Sequence, residues 1–196
     1  MACTRAGVSL TLEPAWPELY PYRPEVAVRM RYTDDALVVR FDVVERHVRA
    51  LETVDNNPVC VDSCVEIFVM MSDGRNYANF ESNPLGTLLA ARRPTRSEKT
   101  PFDAGELAAV GRRGSCVGAA PFECRSQGSG DAEAWWVEIE IPFRLLGYDC
   151  APRRLRLNMY KCGDCTDTRH YLSLFPIDSE KPDFHRPEFF GKIELL

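Results

Sequence analysis

Apolar and polar residues alternate along much of this chain with a period of two, the spacing that sends successive side chains to opposite faces of a β-strand. Val26, Val28 and Met30 alternate with Ala27, Arg29 and Arg31. After the turn Thr33-Asp34-Asp35, a strand over Ala36 to Glu45 has Leu37, Val39, Phe41 and Val43 on one face and Val38, Arg40 and Asp42 on the other. Trp135, Val137, Ile139 and Ile141 form the apolar face of Ala134 to Ile141, with Trp136, Glu138 and Glu140 opposite. From Arg153 to Tyr160, Leu155, Leu157 and Met159 point inward, while Arg154, Arg156, Asn158 and Tyr160 point the other way. Val8 to Leu12 reads as an edge strand, Leu85 to Arg92 as a strand opened by Pro84 and Gly86, and Ser115 to Ala120 as a weak strand. His170 to Phe175 and Phe190 to Leu195 read as the closing pair.

The most informative stretch is Val61 to Asn83, two strands joined by the turn Ser72-Asp73-Gly74-Arg75-Asn76. Asp-Gly between two apolar runs is a strong hairpin signal. On the first strand Asp62, Cys64, Glu66, Phe68 and Met70 share one face; Val65, Ile67 and Val69 share the other. On the return strand Tyr77, Asn79, Glu81 and Asn83 lie opposite Ala78 and Phe80. The pairing predicts that even-numbered residues up to Met70 and odd-numbered residues from Tyr77 face one groove.

Breakers complete the outline. Glu13 to Pro24 holds four prolines, which forbid a helix or a central strand, so it is an ordered loop anchored by Trp16, Tyr20 and Tyr22. Pro94 to Gly114 is loop-like, with one helical turn at Glu106 to Val110. Gln127 to Asp131 is a Gly/Ser turn, and Pro142 to Gly147 fits a helical turn with Pro at its start and Gly at its end. About ten short strands and almost no helix predict an all-β, antiparallel jelly-roll β-sandwich, a single domain over residues 1–196.

Charge narrows the function. The chain is acidic, with a formal net charge of -5, and lacks the basic footprint that nucleic acid requires. No apolar run approaches the ~20 residues of a membrane-spanning helix. The segment after Met1 has no apolar signal core. The expectation is therefore a cytoplasmic protein if Met1 is the native start, and a secreted one if a signal peptide was trimmed. Eight cysteines at irregular spacing in a chain of this length read as reduced thiols rather than a disulfide framework.

Five segments, in order, resemble family 9 carbohydrate-binding modules and their relatives. Asp62-Ser63-Cys64-Val65-Glu66-Ile67-Phe68 is similar to the D-S-x-V-E-x-F strand, and Tyr77-Ala78-Asn79-Phe80-Glu81-Ser82-Asn83, with Gly86, to Y-x-N-F-E-x-N-x-x-G. Glu138 to Phe143 resembles E-x-x-I-P-F, Asn158 to Asp164 resembles N-x-Y-K-x-G-D, and Phe184 to Gly191 resembles F-H-R-P-E-x-F-G. The resemblance implies a jelly-roll sandwich, related to DOMON-like domains, that binds sugars without cleaving them on a concave sheet face and serves carbohydrate catabolism. It also implies a pair of tryptophans around a sugar ring and structural calcium. The chain departs from that pattern: Trp136 has no clear partner tryptophan, and Tyr77, Tyr160 or Trp16 stand in.

If the polar faces stack in one sheet, Arg40, Glu66, Tyr77, Asn79, Glu81, Trp136, Arg156, Asn158 and Tyr160 converge, with His170 at the rim. Aromatics cover the apolar face of a pyranose, while carboxylates, amides and Arg forks bond its hydroxyls. The expected ligand is a sugar or oligosaccharide, with no cofactor and no metal beyond the calcium of the resemblance. Two rivals remain. Glu66 and Glu81 form a carboxylate pair of the kind glycosidases use; their plainer role is as acceptors for hydroxyls or Arg. Met70, Met71, Met159 and Lys161 raise a haem or redox module of the same fold. Cys162 and Cys165 form a single Cys-x-x-Cys, too few ligands for zinc by themselves. His185 and Arg186, between Pro182 and Pro187, read as a latch with Phe184, Phe189 and Phe190 plugging the sandwich end.

Overall fold

The structure, a computed structural model, describes residues 1–126 and 132–196. The turn expected at Gln127 to Asp131 lies outside the described residues.

The alternating segments form two main sheets. The back sheet runs Gly111–Gly114, Glu133–Pro142, Ala36–Glu45, Glu25–Tyr32 and Val8–Thr11, every neighbour antiparallel. The front sheet runs Ala2–Cys3, Gly191–Leu195, Arg154–Cys162, Cys64–Met70, Tyr77–Ser82, Leu88–Arg93 and Thr100–Pro101. Tyr171–Ser173 also pairs with Arg154–Cys162, and Glu13–Pro14 pairs with Tyr171–Ser173. The front sheet is antiparallel except at its edge, where Ala2–Cys3 runs parallel to Gly191–Leu195. A small third sheet pairs His47–Ala50 with Phe122–Arg125.

The sheets face each other across a core of the residues whose alternation marked them as inward. Val65, Ile67, Phe80, Leu157 and Met159 from the front meet Val28, Val39, Phe41, Val137 and Ile139 from the back. The chain is a β-sandwich.

Local chemistry explains most boundaries. The Asp73 carboxylate accepts the backbone N–H groups of Arg75 and Asn76 at 2.9 Å, and Gly74 takes the left-handed conformation that closes the hairpin. Asp103 and Glu106 make a reciprocal capping box, so the helix begins at Ala104 and covers Ala104–Ala109. Gly147, with φ of 83°, ends the 3₁₀ turn Phe143–Leu146. Two expectations need correction. Ser115 to Ala120 is not a strand; the pairing there belongs to Gly111–Gly114, where Gly114 lets the backbone approach Trp136. The chain from His47 to Ala50, unassigned in the sequence, is a strand.

Beyond the main core lies a buried ionic cluster. Lys161 is buried in the sandwich, and its ammonium meets three acceptors: Glu45 Oε2 at 2.9 Å, His170 Nε2 at 2.9 Å and the Cys162 carbonyl at 2.8 Å. Glu45 Oε1 accepts from the Trp135 indole at 2.7 Å. Because an ammonium has only donors, His170 Nε2 accepts and its Nδ1–H donates to the Thr168 carbonyl. Burial, followed by the charge of Lys161, pulls His170 down to about 2, so the ring is neutral.

Candidate functional site

The hairpin register is as the sequence required. Glu66 pairs with Glu81, Phe68 with Asn79 and Met70 with Tyr77, so the six side chains share the outer face of the front sheet. Tyr160 sits beside Glu66, and Asn158 beside Phe68, on the neighbouring strand. Tyr77, Asn79, Glu81, Glu66, Asn158 and Tyr160 are thus brought together.

Arg40 and Trp136 are not among them. Both belong to the back sheet and point away from the sandwich, where the Arg40 guanidinium lies 3.8 Å from the Trp136 ring centre and pairs with Asp42. The sequence showed that their faces were polar, but strand alternation cannot say which of two sheets a strand joins. His170 is also elsewhere, accepting from Lys161 and donating to the Thr168 carbonyl. Arg156 lies on the front sheet but is exposed at its far end, donating to the Pro187 carbonyl at 3.0 Å.

The outer face is not an open, wet sheet. A second apolar cluster covers it, built by Trp16 from the proline-rich loop and by Ile177, Phe184 and Phe190 from the last loop. Phe184 stacks on Tyr160 with centroids 4.1 Å apart, and the Tyr160 hydroxyl donates to the Phe184 carbonyl. Trp16 donates its indole N–H to the Ser179 carbonyl at 2.7 Å, which ties the two covering loops together. Asn158 accepts from the Phe175 N–H and donates to the Phe175 carbonyl, so its amide holds the loop. Tyr77 is likewise covered; its hydroxyl shares a 2.9 Å hydrogen bond with His185 Nδ1. His185 therefore latches onto the sheet, while Arg186 pairs with Glu188.

What the cover leaves is a pocket of about 200 Å³. Glu66, Glu81 and Cys162 line it from the strands, and Cys60 from the turn before them. Asp164, Tyr171, Arg96, Asp183, Phe184 and His185 form its walls. The Tyr171 hydroxyl donates to Asp164 at 2.7 Å. Asn79 donates to Glu81 Oε1 at 2.9 Å and accepts from Arg93 Nε at 2.7 Å, so it orients Glu81 without reaching the pocket. Burial, then the neighbouring Glu81, raises the Glu66 carboxyl well above the usual range. Burial raises Glu81 to about 7 against the opposing pull of Arg93. Burial and nearby Arg and Lys charges hold His185 at about 3, so its ring is neutral.

The wall residues Asp164, Tyr171 and Asp183 were not foreseen as site residues. The signals were present, in the Gly-Asp step after a strand and in a short segment fenced by prolines, but only the fold shows where these turns land. The haem reading loses its ligands: Met159 is inter-sheet core, Met70 is buried in the apolar cover, and Lys161 is committed to Glu45.

A family model for carbohydrate-binding family 9 matches residues 8–195. A crystal structure of a Bacteroides uniformis protein, provisionally named as carbohydrate-binding, superposes with a TM-score of 0.89 at 32% identity, covering 97% of this chain and 87% of that one. Two structures of a family 9 carbohydrate-binding module from Caldicellulosiruptor kristjanssonii share the fold. One is in complex with glucose (TM-score 0.51, 16% identity, 95% and 84% covered), the other with cellotriose (0.54, 15%, 100% and 92%). No curated protein matches the chain.

Proposed function

Because the chain belongs to carbohydrate-binding family 9, we propose that it binds a carbohydrate, without cleaving it, in the pocket over Glu66 and Glu81. The observation that carries the reading is the pocket: clustered acceptors in a partly apolar cup on the sheet face. Its volume of about 200 Å³ suits a ligand the size of one sugar ring. Glu81, Asp164 and Asp183 accept hydroxyl hydrogens, Arg96 donates, and the Phe184 edge meets the apolar side of the ring. The relatives' ligands, glucose and cellotriose, have this mixture of hydroxyls and apolar ring face.

The carboxylate pair does not favour hydrolysis. Glycosidase carboxyls flank the scissile bond. Glu66 and Glu81 rise from directly opposed positions on adjacent strands, with Cβ atoms ~4.5–5.5 Å apart and pointing the same way, so both approach a ligand from one side.

Calorimetric titration against monosaccharides and oligosaccharides ending in them tests the proposal. The expected result is saturable binding of at least one sugar, weakened about tenfold or more by Glu81→Gln in a protein with an unchanged circular dichroism spectrum. Binding untouched by Glu81→Gln but lost in Trp136→Ala moves the site to the back sheet and refutes the assignment. No binding by the folded protein at millimolar sugar refutes the function.

A further inference from the structure

We infer that Cys64, Cys162 and Glu66 form a binding site for a thiophilic divalent cation, zinc foremost; Glu66 and Cys162 line the pocket and Cys64 is buried beside them. The site does not depend on the carbohydrate reading.

The fold assembles what the sequence scatters. Cys64 and Cys162 are directly opposed on adjacent antiparallel strands, and Glu66 follows two residues after Cys64 on the same face. One ligand atom from each lies within 4.8 Å of the other two, and all three residues are buried. In a tetrahedron with Zn–S of ~2.3 Å and Zn–O of ~2.1 Å, ligand atoms stand about 3.4–3.8 Å apart. Small χ1 adjustments cover the difference, and the paired strands stay in place. The fourth position faces the cavity, which Cys60 also lines. Cys60 and Cys64 are spaced Cys-x₃-Cys, within the range of zinc ligand pairs. Cys165, the sequence partner of Cys162, is exposed and outside the cluster.

An independent observation is the charge balance of the floor. Glu66 is buried beside a second buried carboxyl, Glu81. The hydrogen bond that Glu66 receives comes from the Cys162 thiol at 3.1 Å, a weak donor. Buried carboxylates ordinarily pair with a cation or bind a metal. A dication lets both carboxyls ionise side by side, and thiolate ligands select zinc over calcium or magnesium. Each thiol that binds, and the Glu66 carboxyl, gives its proton to solvent. No atom is oxidised or reduced.

The test uses the full chain, reduced and freed of metal with a chelator, then titrated with Co²⁺ as a spectroscopic stand-in and with Zn²⁺ in competition. The expected result is one Co²⁺ per chain, with thiolate-to-cobalt charge-transfer absorption and tetrahedral visible bands that Zn²⁺ abolishes. Cys64→Ser and Cys162→Ser each weaken Zn²⁺ by at least about tenfold, a loss that even outer-shell partners can produce, while Cys165→Ser does not. Should the serine variants misfold, X-ray absorption at the zinc edge of the wild type decides: at least two sulfurs and one oxygen are required. Absence of the cobalt bands overturns the inference. So does a signal that survives the double serine variant, or reduced protein indifferent to zinc whose Cys64 and Cys162 were isolated as a disulfide.

Discussion

Replacing Lys161 with Met tests how the strand behind the pocket is held. Tyr160 and Cys162 face the pocket side, and Lys161 between them points into the sandwich against Glu45. Its ammonium donates to His170 Nε2 and the Cys162 carbonyl and lies 2.9 Å from Glu45 Oε2. Met fills similar space but leaves the Glu45 carboxylate with only the Trp135 indole. Removing one partner of a buried pair costs about 3–5 kcal/mol. That is a large share of a typical stability of ~5–15 kcal/mol. With a urea m-value of ~2 kcal/mol per molar, the midpoint falls by about 2 M. Glu45→Gln keeps an acceptor for Trp135 and removes the stranded charge, so the double variant recovers part of the loss, a coupling of about 0.5–3 kcal/mol. His170 adds a second signature. Its Nε2 lies 3.6 Å from Glu45 Oε2, and the Lys161 charge is one of the two causes that depress it. Without Lys161 the ring takes a proton more readily and pairs with Glu45, so the deficit of Lys161→Met narrows from about pH 7 to about pH 5. Urea unfolding followed by tryptophan fluorescence measures all three proteins. A loss below about 1 kcal/mol, or full additivity in the double variant, refutes the account.

Other consequences follow from the same structure. His170 is neutral when folded and depressed to about 2, whereas the unfolded ring protonates near 6.5; the unfolded state thus binds the extra proton below that pH. The stability advantage of wild type over His170→Gln should shrink by up to about 1.4 kcal/mol per pH unit as pH falls below 6.5, read from urea midpoints at several pH values. Asp62 is buried and accepts from the Leu51 and Glu52 N–H groups, Asn83 Nδ2 and Arg49, so Asp62→Ala should cost about 3 kcal/mol in a thermal or urea melt while leaving the strands intact. At Gly147, φ is 83° and an added Cβ would sit 2.4 Å from Ser72 Oγ; Gly147→Ala should lower stability by about 1–3 kcal/mol, and a neutral outcome would refute the close approach.

The sandwich and its hairpin register were legible because period-two alternation specifies a face wherever one side is buried. Two things were not. Alternation assigns a face but not a sheet, so Arg40 and Trp136 looked like neighbours of Glu66 although they lie on the back sheet. Burial of the outer face was also missed, though a signal existed. Phe68, Met70, Cys64 and Cys162 share the parity of Glu66, giving Cys64–Met70 apolar residues on both faces. A central strand that is apolar on both faces is covered on both faces, the pattern that marks doubly covered sheets elsewhere. Read that way, the aromatics of the proline-rich loop and of the segment around Phe184 are the cover, because large rings beside prolines need somewhere dry to go.

That cover changes what kind of ligand the fold can take. An open sheet face accepts a long chain laid across its strands, whereas a pocket walled by Phe184, His185, Asp164 and Tyr171 accepts a single unit or a chain end. The division of labour is physical. Paired strands fix the carboxylates and thiols of the floor, and their register cannot shift by one residue without turning Glu66 and Glu81 into the core. Tyr171 sits on a strand paired with Arg154–Cys162, whereas the loops that carry Phe184 and His185 are tied down by side-chain bonds, those of Trp16 to Ser179, Asn158 to Phe175 and Tyr77 to His185. Floor chemistry is therefore the rigid part of the site and wall shape the adjustable part. Selectivity among sugars should follow substitutions at Asp183 and Tyr171, while occupancy of the site at all should follow Glu81.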